Sequence, residues 1–544
     1  MLAALLCAVV GAAPTPLTRV VSSDGGLRLA PQPALNWTAA ACPESGALHV
    51  MTDDQHQTIG GFGASMTESS AINLNSLPAA KQEALLGDIF GPSGARFSAM
   101  KATMLSNDFA AAAPWSTYDD QTGDTALAKF SIERDLRQNG SLTLIKRAIA
   151  AGFVGTIQAY MDWPPDWMLS GPPDANATVP KATVDPKMYD VLASYFAKYV
   201  EAYKEHGVVI DFLECFNEPT DSYVMMSAEQ LALFLGRHIG PKFDALGLRP
   251  RTRLTYGGQC ARATAHQFVT AVMADPDAAK YMDLIAYHGY DCQLADYDNP
   301  ASQCNDTRQN YHLIRELGEA YGKEMWMTEI CYAYYPLGGD DEYGCTHADA
   351  LPQCDEYPRD PKLAPPLPRT DFADGATWGH RLVRELQAGV SGWIYWNLAL
   401  DTRGGPYNLS PQHGDPVENL QHGVVIVDAA RGTYLLTGVY YFLAHFARFV
   451  RPGAVRLGVE ERSLPASVDT VAFLDSQDEP QADPTAAVRA TSGAAGGATI
   501  QLVNTDRQQE QRVAVCTASA GQSYVTQVTL PPASITTGQW SAEF

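Results

Sequence analysis

The stretch DFLECFNEPTDSY, residues 211–223, joins an apolar, strand-like run to a polar turn at Asn217-Glu218-Pro219. A charged Glu218 at the end of such a run has three interpretations: an exposed turn residue, a helix N-terminal charge, or a carboxylate placed for chemistry. The proline that follows favours an extended conformation at Glu218 and predicts that the strand ends there. The rest of the chain decides between these interpretations.

Seven further β-rich runs lie between residues 59 and 400. They read IGGFGASM, RFSAMKATML, GTIQAYMDW, TRLTYGG, DLIAYHGY, MWMTEICY and GWIYWNLAL. Helical patterns such as LTLIKRAIAAG and YDVLASYFAKYVEAYKEHG separate them. Eight β/α units predict an α/β fold, a (β/α)8 TIM barrel with loop insertions. A doubly wound open sheet is the alternative, but the sequence contains neither GxGxxG nor a Walker A motif.

The pattern of apolar and polar residues changes after about residue 430. Short alternating runs such as TVAFLD, ATIQLVN and RVAVCT follow one another between Gly, Pro, Ser and Asp, which is typical of an all-β sandwich. The segment near the N-terminus has a similar character. We therefore predict a signal peptide at 1–13, sandwich strands at 20–54, the catalytic barrel at 55–428 and the remaining sandwich at 429–544, so that both chain ends form the appended domain.

The composition bounds the class of partner. The chain of 544 residues carries a formal net charge of -23, which argues against nucleic acid as a ligand. After the N-terminus no apolar run reaches the roughly 18 residues of a membrane span, although peripheral membrane contact stays open. The N-terminal MLAALLCAVVGAAPTP is typical of a signal peptide, which predicts a secreted or lysosomal/vacuolar protein. Five Asn-x-Ser/Thr sequons support this: Asn36, Asn139, Asn176, Asn305 and Asn408.

The ten cysteines predict disulfides rather than a metal site, since no spacing resembles a zinc motif. Two short-range pairs lie in Gly/Asp/Pro-rich loops, and a third pair could join the chain ends. These pairs are Cys292–Cys304, Cys345–Cys354 and Cys42–Cys516. Cys7 would leave with the signal peptide. The remaining three, Cys215, Cys260 and Cys331, lie in apolar runs and are expected to be small buried hydrophobes.

Two glutamates end predicted barrel strands, Glu218 in FNEP and Glu329 in MTEIC. Catalytic groups of a TIM barrel come from the C-terminal ends of its strands. The two strands lie on opposite sides of a small barrel, so both carboxylates can reach over its mouth. Such a pair is what glycoside hydrolysis requires, one carboxylic acid to protonate the leaving oxygen and one carboxylate to attack or to activate water.

Several motifs resemble glycoside hydrolase family 30, nearest to its glucosylceramidase branch. They are GGFGASMTESSAINL, FSIERD, WPPDWM, FNEP, AYHGY, MTEICY, GWIYWNLALDTRGGP and YYFLAHFARFVRPGAVR. The resemblance implies that Glu218 is the general acid/base and Glu329 the nucleophile. It also implies a substrate-binding set, with no metal or organic cofactor: Asp108, Lys101, Trp163, Asn217, His288, Tyr290, Trp396 and Asn397.

The resemblance further implies individual roles within this set. Asn217 would hydrogen-bond the sugar 2-hydroxyl, and Asp108 would accept bonds from other ring hydroxyls. Tyr290 would steady the nucleophile, and His288 would shape the same wall. Trp396 would offer a flat face to the sugar ring, with the neighbouring Asn397 beside it.

The sequence departs from the family on the sugar-binding walls. Lys101 stands where the branch carries Arg, a change from a planar fork to a point donor. Asp162 occupies the place of an aromatic residue, with Trp163 next to it. Glu68 replaces a common Asp and is interpreted as a first-turn helix charge. No role could be assigned to Glu214 inside the fourth strand.

We therefore expect a retaining β-glycosidase that acts on β-glucosides or β-galactosides, including glycolipids such as glucosylceramide. An endo-β-1,6-glucanase or a xylan-directed hydrolase of the same family is the main alternative. A carbohydrate-binding protein without turnover is the alternative from another class, and the presence of both glutamates weighs against it.

Overall fold

The computed structural model describes residues 13–111, 116–171, 182–291, 308–331, 372–406, 421–475 and 496–542. The described residues fall into two compact units. One unit contains the chain up to Ile59, Phe372–Gln387 and the chain from Tyr441 onward. The other contains Gly60–Asp371 and Ala388–Tyr440. Each unit has its own large sheet.

Four strands begin the chain: β1 (Leu17–Ser23), β2 (Ala30–Leu35), β3 (Thr38–Ala39) and β4 (Ala47–Thr58). The barrel strands follow: β5 (Gly61–Met66), β6 (Ala99–Thr103), β7 (Thr156–Tyr160), β8 (Phe212–Glu214), β9 (Arg253–Thr255), β10 (Leu284–His288), β11 (Glu324–Glu329) and β12 (Gly392–Tyr395). All eight apolar runs of the sequence form these parallel strands, in the hydrogen-bonded order β10-β11-β12-β5-β6-β7-β8-β9. A parallel bridge between Gln259 and Tyr287 links the two ends of this order, so the TIM barrel predicted from the sequence is confirmed.

Close packing of the barrel strands requires glycine at some positions. A Cβ at Gly63 on β5 would overlap the carbonyl oxygen of Ala99 on β6. Only a residue without a side chain allows the two strands to pair at this point.

The helices of the barrel unit follow its strands. They are α1 (Glu68–Ser76), α2 (Ala79–Phe90), α3 (Ser141–Ala150), α4 (Tyr189–Glu205), α5 (Ala228–Phe234), α6 (Gly240–Ala245), α7 (Arg262–Met273), α8 (Pro276–Tyr281) and α9 (Tyr311–Tyr321). Between α5 and α6 the residues Leu235–Ile239 form a π-helical segment. The side chain of Thr67 caps α1 by accepting a bond from the Ser70 N–H, which makes Glu68 the first-turn helix charge expected from the sequence.

Two further helices and a small sheet lie in the C-terminal part of the chain. Helix α10 is Asp374–Gln387 and helix α11 is Gly438–Phe449. The small sheet consists of β13 (Ala399–Asp401), β14 (Val425–Asp428) and β15 (Thr433–Leu436). Among the described residues, none of the helices is long and apolar enough to cross a bilayer.

The last strands are β16 (Val455–Arg462), β17 (Val468–Leu474), β18 (Gly496–Asn504), β19 (Gln511–Ser519), β20 (Gln522–Leu530) and β21 (Ser534–Ala542). Together with β1–β4 they form one sheet in the order β2-β1-β21-β18-β17-β16-β4-β19-β20-β3. Side chains from both halves of this order, such as Ile500 on β18 and Val528 on β20, share a single buried core, so the sheet folds over itself. The all-β domain built from both chain ends is thus confirmed.

A disulfide joins Cys42 to Cys516 across 474 residues, as the sequence suggested. The predicted pairs Cys292–Cys304 and Cys345–Cys354 lie outside the described residues, as do the sequons at Asn176, Asn305 and Asn408. Of the cysteines expected to be buried, Cys215 and Cys331 are buried and Cys260 is only half-buried.

Candidate active site

The interior of the barrel changes from apolar to charged along its strands. Its apolar floor consists of Ala99, Phe212, Leu284, Trp326 and Ile394. Side chains two positions further along a strand point to the same face. The next layer therefore contains Lys101 on β6, Glu214 on β8 and Thr328 on β11, all of them fully buried.

Glu218 follows β8 in a turn that backbone hydrogen bonds hold in place. Its N–H donates to the carbonyl of Gly258 at 2.7 Å, and its own carbonyl accepts from the Ser222 N–H at 2.8 Å. The φ angle of Glu218 is 39°, in the left-handed region. The extended conformation expected before Pro219 is therefore wrong at this residue, because these bonds determine the turn. Such strain costs about 1–3 kcal/mol and clusters at functional sites.

Glu329 reaches the same mouth through an irregularity in the sheet. Tyr287 on β10 pairs with Met327 on β11, whereas the next residue, His288, pairs with Glu329. Two residues of β11 therefore oppose one of β10, and a bulge of this kind re-aims the side chains that follow it. Thr328 turns toward the buried layer and Glu329 toward the mouth.

The two glutamates face each other across His288. One carboxylate oxygen of each and one imidazole nitrogen all lie within 4.8 Å of one another. His288 Nδ1 lies 2.8 Å from Glu218 Oε1 and 3.8 Å from Glu329 Oε1. One oxygen of each carboxylate therefore lies at most 4.8 Å from one of the other, which is close to the roughly 5–5.5 Å separation of retaining glycosidases and below the roughly 6.5–9.5 Å of inverting ones.

Lys101 is the principal partner of Glu329. Its Nζ lies 2.8 Å from Glu329 Oε2 and 3.9 Å from the centre of the Tyr160 ring. Burial opposes the ammonium charge, but Glu329 and then Glu214 outweigh it and raise the pKa of Lys101. Tyr290 donates its hydroxyl to Glu329 Oε1 at 3.2 Å. Two donors therefore hold the Glu329 carboxylate, and one of them is the ammonium group of the fully buried Lys101.

Glu214, which had no assignable role from sequence, lies beneath His288. Its Oε1 is 3.4 Å from His288 Nε2, and its Oε2 accepts from Gln158 Nε2 and from Thr328 Oγ1, each at 2.8 Å. Burial favours the neutral acid, yet Lys101 and His288 lower the pKa of Glu214. Burial likewise opposes a charge on His288, but the charge of Glu329, the close contact with Glu214 and the hydrogen bond with Glu218 raise its pKa to about 9.

Several predicted binding residues line or support this mouth. The Trp396 ring lies edge-on to Phe109 and Tyr160, with centroids 6.1 and 5.9 Å apart. Asn217 Oδ1 is buried without a hydrogen-bond partner among the described residues. Asn397 is held at both ends of its amide, since Oδ1 accepts from Thr67 and Nδ2 donates to Gln421, so it supports the turn after Trp396.

Asp162, a departure from the family pattern, forms an acidic wall together with Asp108, which fits that pattern. Asp108 lies in the turn after β6, and Asp162 follows β7 and is buried. Burial, followed by the charges of Asp108 and Glu329, raises the pKa of Asp162 well above its usual range. Trp163 is only 2% exposed and donates its indole N–H to Asp166 at 2.7 Å, so it packs behind this wall.

Cys260 is a site neighbour that the sequence did not reveal, because an apolar run predicted only packing. Burial and then the charge of Glu218 raise the pKa of its thiol well above the usual range. Cys331 lies on the other side, 3.5 Å from the Tyr290 hydroxyl. A thiol therefore accompanies each of the two carboxylates.

Glu218, His288 and Glu329 also offer three atoms at a spacing that a cation can bridge. Within this group Lys101 Nζ already contacts Glu329, and the imidazole is hydrogen-bonded to Glu218. The carboxylates thus have cationic partners supplied by the chain itself, and their arrangement suits proton transfer and nucleophilic attack.

A TIM barrel with two facing carboxylates at its mouth is typical of the barrel glycoside hydrolases. The sequence profile described as "Glycosyl hydrolase family 30 TIM-barrel domain" matches residues 59–342 and 368–450, more than half of the chain. The chain belongs to glycoside hydrolase family 30 and is a glycoside hydrolase, so its substrate is a carbohydrate.

Individual relatives carry two kinds of name. The chain is 28% identical to endo-1,6-beta-D-glucanase of Neurospora crassa, over 82% of both chains. It is 25% identical to putative glucosylceramidase 4 of Caenorhabditis elegans, over 79% of this chain and 74% of the relative. The solved structure of SrfJ from Salmonella typhimurium has the same fold, with a TM-score of 0.75 and 20% identity, covering 97% of this chain and 100% of that one.

Proposed function

We propose that this chain hydrolyses β-glucosidic bonds with retention of configuration, through Glu329 as nucleophile and Glu218 as general acid/base. The observation that supports this most is the spacing of the two carboxylates, within 4.8 Å of each other. The two carboxylates contact different partners, as their different roles in this mechanism require. Glu329 faces an ammonium group, while Glu218 is paired with an imidazole.

In the first step a Glu329 oxygen attacks the anomeric carbon, and the bond from that carbon to the leaving oxygen breaks. Glu218 gives its proton to the leaving oxygen, so the aglycone departs as a neutral alcohol. The contacts of Glu329 with Lys101 and Tyr290 would hold the nucleophile in position for attack. A covalent glucosyl ester on Glu329 is the product of this step.

In the second step a water molecule attacks the same anomeric carbon from the side that the aglycone left. Glu218, now ionised, takes a proton from the water, and the ester bond to Glu329 breaks. Glu218 regains its proton and Glu329 its charge. Two displacements return the β-configuration.

The glycone is proposed to be β-glucose, with β-galactose as the related hexose to test. Both kinds of named relative act, by their names, on glucosyl bonds. Asn217 Oδ1, buried without a partner among the described residues, would accept a bond from a sugar hydroxyl, and Asp108 and Asp162 would accept others. Trp396 would lie under the apolar face of the ring.

Glucosylceramide-type glycolipids are the first proposed natural substrate, and β-1,6-glucan is the second. The second is favoured by the relative from Neurospora crassa, whose match covers 82% of both chains. Initial rates on glucosylceramide in detergent micelles and on β-1,6-glucan, with xylan as a third substrate, distinguish them. Glucose alone as the product indicates action at the chain end, whereas oligosaccharides indicate endo action.

The mechanism is tested with aryl β-glucosides and aryl β-galactosides. We expect wild-type turnover, and a fall in kcat of at least about 100-fold for Glu329→Gln and for Glu218→Gln with a poor leaving group. The proton NMR spectrum of the first-formed sugar should show the β-anomer. An initial α-anomer, or full activity of Glu329→Gln, would refute the proposal.

A signal peptide and export to an oxidising compartment are also proposed. The disulfide between Cys42 and Cys516 supports this, because such bonds persist in oxidising compartments. Mass spectrometry of the mature N-terminus from the native source tests it. An N-terminus that retains Met1 or Leu2 would argue against cleavage.

A further inference from the structure

Glu214 and Gly258 lie next to each other in the buried space beneath the imidazole of His288. Neither Glu214 nor His288 has measurable exposure. A Cβ at Gly258 would overlap Glu214 Oε1 and would stand 2.8 Å from His288 Nε2. Glycine at this position therefore leaves the space in which the carboxylate and the imidazole meet.

The hydrogen bonds of Glu214 hold it in the orientation that serves His288. Oε2 accepts two bonds, from Gln158 on β7 and from Thr328 on β11, so Oε1 is left to face the imidazole. The opposite ring nitrogen, Nδ1, meets Glu218 Oε1 at 2.8 Å. One imidazole thus bridges a buried carboxylate and the carboxyl at the mouth.

The charged side chains that surround His288 largely offset one another. Lys101 and His288 supply two positive charges, and Glu214 and Glu329 supply two negative ones. Glu218 meets the same imidazole from the other ring nitrogen, so Glu214 offsets part of the positive charge that Glu218 faces. Groups around His288 and Glu218 from other elements are Lys101, Asp162, Cys260, Tyr290, Glu329 and Cys331.

We propose that Glu214 is a positioning residue, which holds His288 as a cation and, by neutralising that cation, allows Glu218 to keep the proton it donates to the leaving group. This inference rests on the proposed role of Glu218 as general acid. Glu214 itself lies below the mouth and touches no substrate. Its effect passes through the bridging imidazole, whose pKa of about 9 agrees with a permanent charge at neutral pH.

The first test compares two leaving groups in Glu214→Gln, which keeps the size of the side chain and removes its charge. Phenyl β-glucoside needs protonation of its leaving oxygen, whereas 2,4-dinitrophenyl β-glucoside hardly does. We expect kcat/KM to fall about 10-fold or more for the phenyl glucoside at pH 7 and about 3-fold or less for the dinitrophenyl one. The alkaline limb of the phenyl-glucoside pH profile should move to lower pH.

Glu214→Asp is the matched control, because it keeps the charge. We expect its pH profile to resemble that of the wild type even if kcat is reduced. Equal losses for both leaving groups in Glu214→Gln, with an unmoved pH profile, would assign Glu214 a structural role alone and overturn the proposal.

The second test measures the protonation state of the His288 imidazole and does not depend on turnover. In protein labelled with 15N-histidine, the His288 signal is identified by its disappearance in His288→Gln. We expect an imidazolium at pH 7.5 in both proteins, because Glu218 and Glu329 stay beside the ring, and a lower pKa of the ring in Glu214→Gln than in the wild type. An unchanged ring pKa in the variant would overturn the role of Glu214, whereas a wild type that hydrolyses neither aryl glucoside would overturn the proposed function instead.

Discussion

Glu218 and Glu329 are the same residue type, and their surroundings make them different. Glu329 contacts the ammonium group of Lys101 at 2.8 Å and the hydroxyl of Tyr290 at 3.2 Å. Glu218 contacts the imidazole of His288 at 2.8 Å. Environment, rather than identity, is therefore the basis on which we propose one carboxylate for attack and the other for proton transfer.

The contact between Lys101 and Glu329 makes a prediction about activity. Lys101→Met removes the cation and leaves a buried carboxylate without its main partner, so kcat/KM for 2,4-dinitrophenyl β-glucoside should fall about 100-fold or more. Lys101→Arg keeps a cation and should retain more activity. Circular dichroism establishes that both variants are folded. Near wild-type kcat/KM in Lys101→Met would show that this ammonium is not needed.

Sequence reasoning reached some of these residues and missed others for a physical reason. Glu218 and Glu329 end apolar runs, so barrel topology alone placed them at one mouth. Glu214 stands inside such a run, where nothing marks a charged residue as functional. The role of Glu214 depends on its contact with His288 and on the charge of Lys101. These residues are far away in the sequence and come close only in the folded chain, so no local sequence pattern predicts the contact.

Short and irregular elements shape the mouth. β8 has three residues, Phe212–Glu214, and the chain then enters the turn that holds Glu218 at a φ of 39°. The bulge between β10 and β11 turns Glu329 to the mouth. The sequence predicted the eight strands, because apolar runs report burial. It did not predict the left-handed turn or the bulge, because hydrogen bonds to neighbouring strands determine both.

Two helices also show that a local sequence pattern does not predict which unit a helix belongs to. Helix α11, Gly438–Phe449, lies in the range predicted as sandwich. Helix α10, Asp374–Gln387, lies in the range predicted as barrel, yet it packs on β17, β18 and β21. The order of elements along a chain does not state which sheet a helix covers.

Helix α11 carries a pH-sensitive group, His445. Its Nδ1 lies 2.6 Å from Thr537 Oγ1 and its Nε2 2.9 Å from Ser22 Oγ. Burial, and then the charge of Arg448, lowers its pKa to about 3. Between about pH 3 and the ordinary histidine value near 6.5, the unfolded chain binds a proton that the folded one does not. His445 should therefore lower the stability of the all-β unit progressively as pH falls from about 6.5 toward 3.

Chemical denaturation at pH 4.5 and pH 7.5 measures this effect. We expect the free energy of unfolding of the wild type to be lower at pH 4.5, and the difference between the two pH values to shrink in His445→Gln. His206→Gln, in which the half-buried histidine at the C-terminal end of α4 is replaced, is the matched control. An equal pH difference in wild type and His445→Gln would exclude His445 as the source.

At the scale of the whole molecule, the two chain ends meet in one sheet. β1 pairs with β21, and β4 pairs with β16 and β19. The Cys42–Cys516 disulfide reinforces this closure within the all-β unit. The alternating patterns predicted both sets of strands, but their register required the structure because similar short strands offer many pairings.

The disulfide should contribute measurably to stability. Replacing both cysteines in Cys42→Ser/Cys516→Ser should lower the free energy of unfolding by about 2–5 kcal/mol, because the cross-link restricts the unfolded chain. Denaturant titration under non-reducing conditions measures it. Adding dithiothreitol should lower the unfolding midpoint of the wild type by more than that of the double variant, in which only the other predicted disulfides can be reduced. An unchanged midpoint in the double variant would contradict this contribution.

The central claim is that Glu329 attacks the sugar while Glu218 serves as acid and base in the same mouth. Mass spectrometry of the enzyme after incubation with 2,4-dinitrophenyl 2-deoxy-2-fluoro-β-glucoside tests it most directly, because the fluorine slows release of a covalent intermediate. The account predicts one fluoroglucosyl group per chain, on the peptide and side chain of Glu329. A label on another residue, or hydrolysis of β-glucosides with inversion and no label at all, would contradict it.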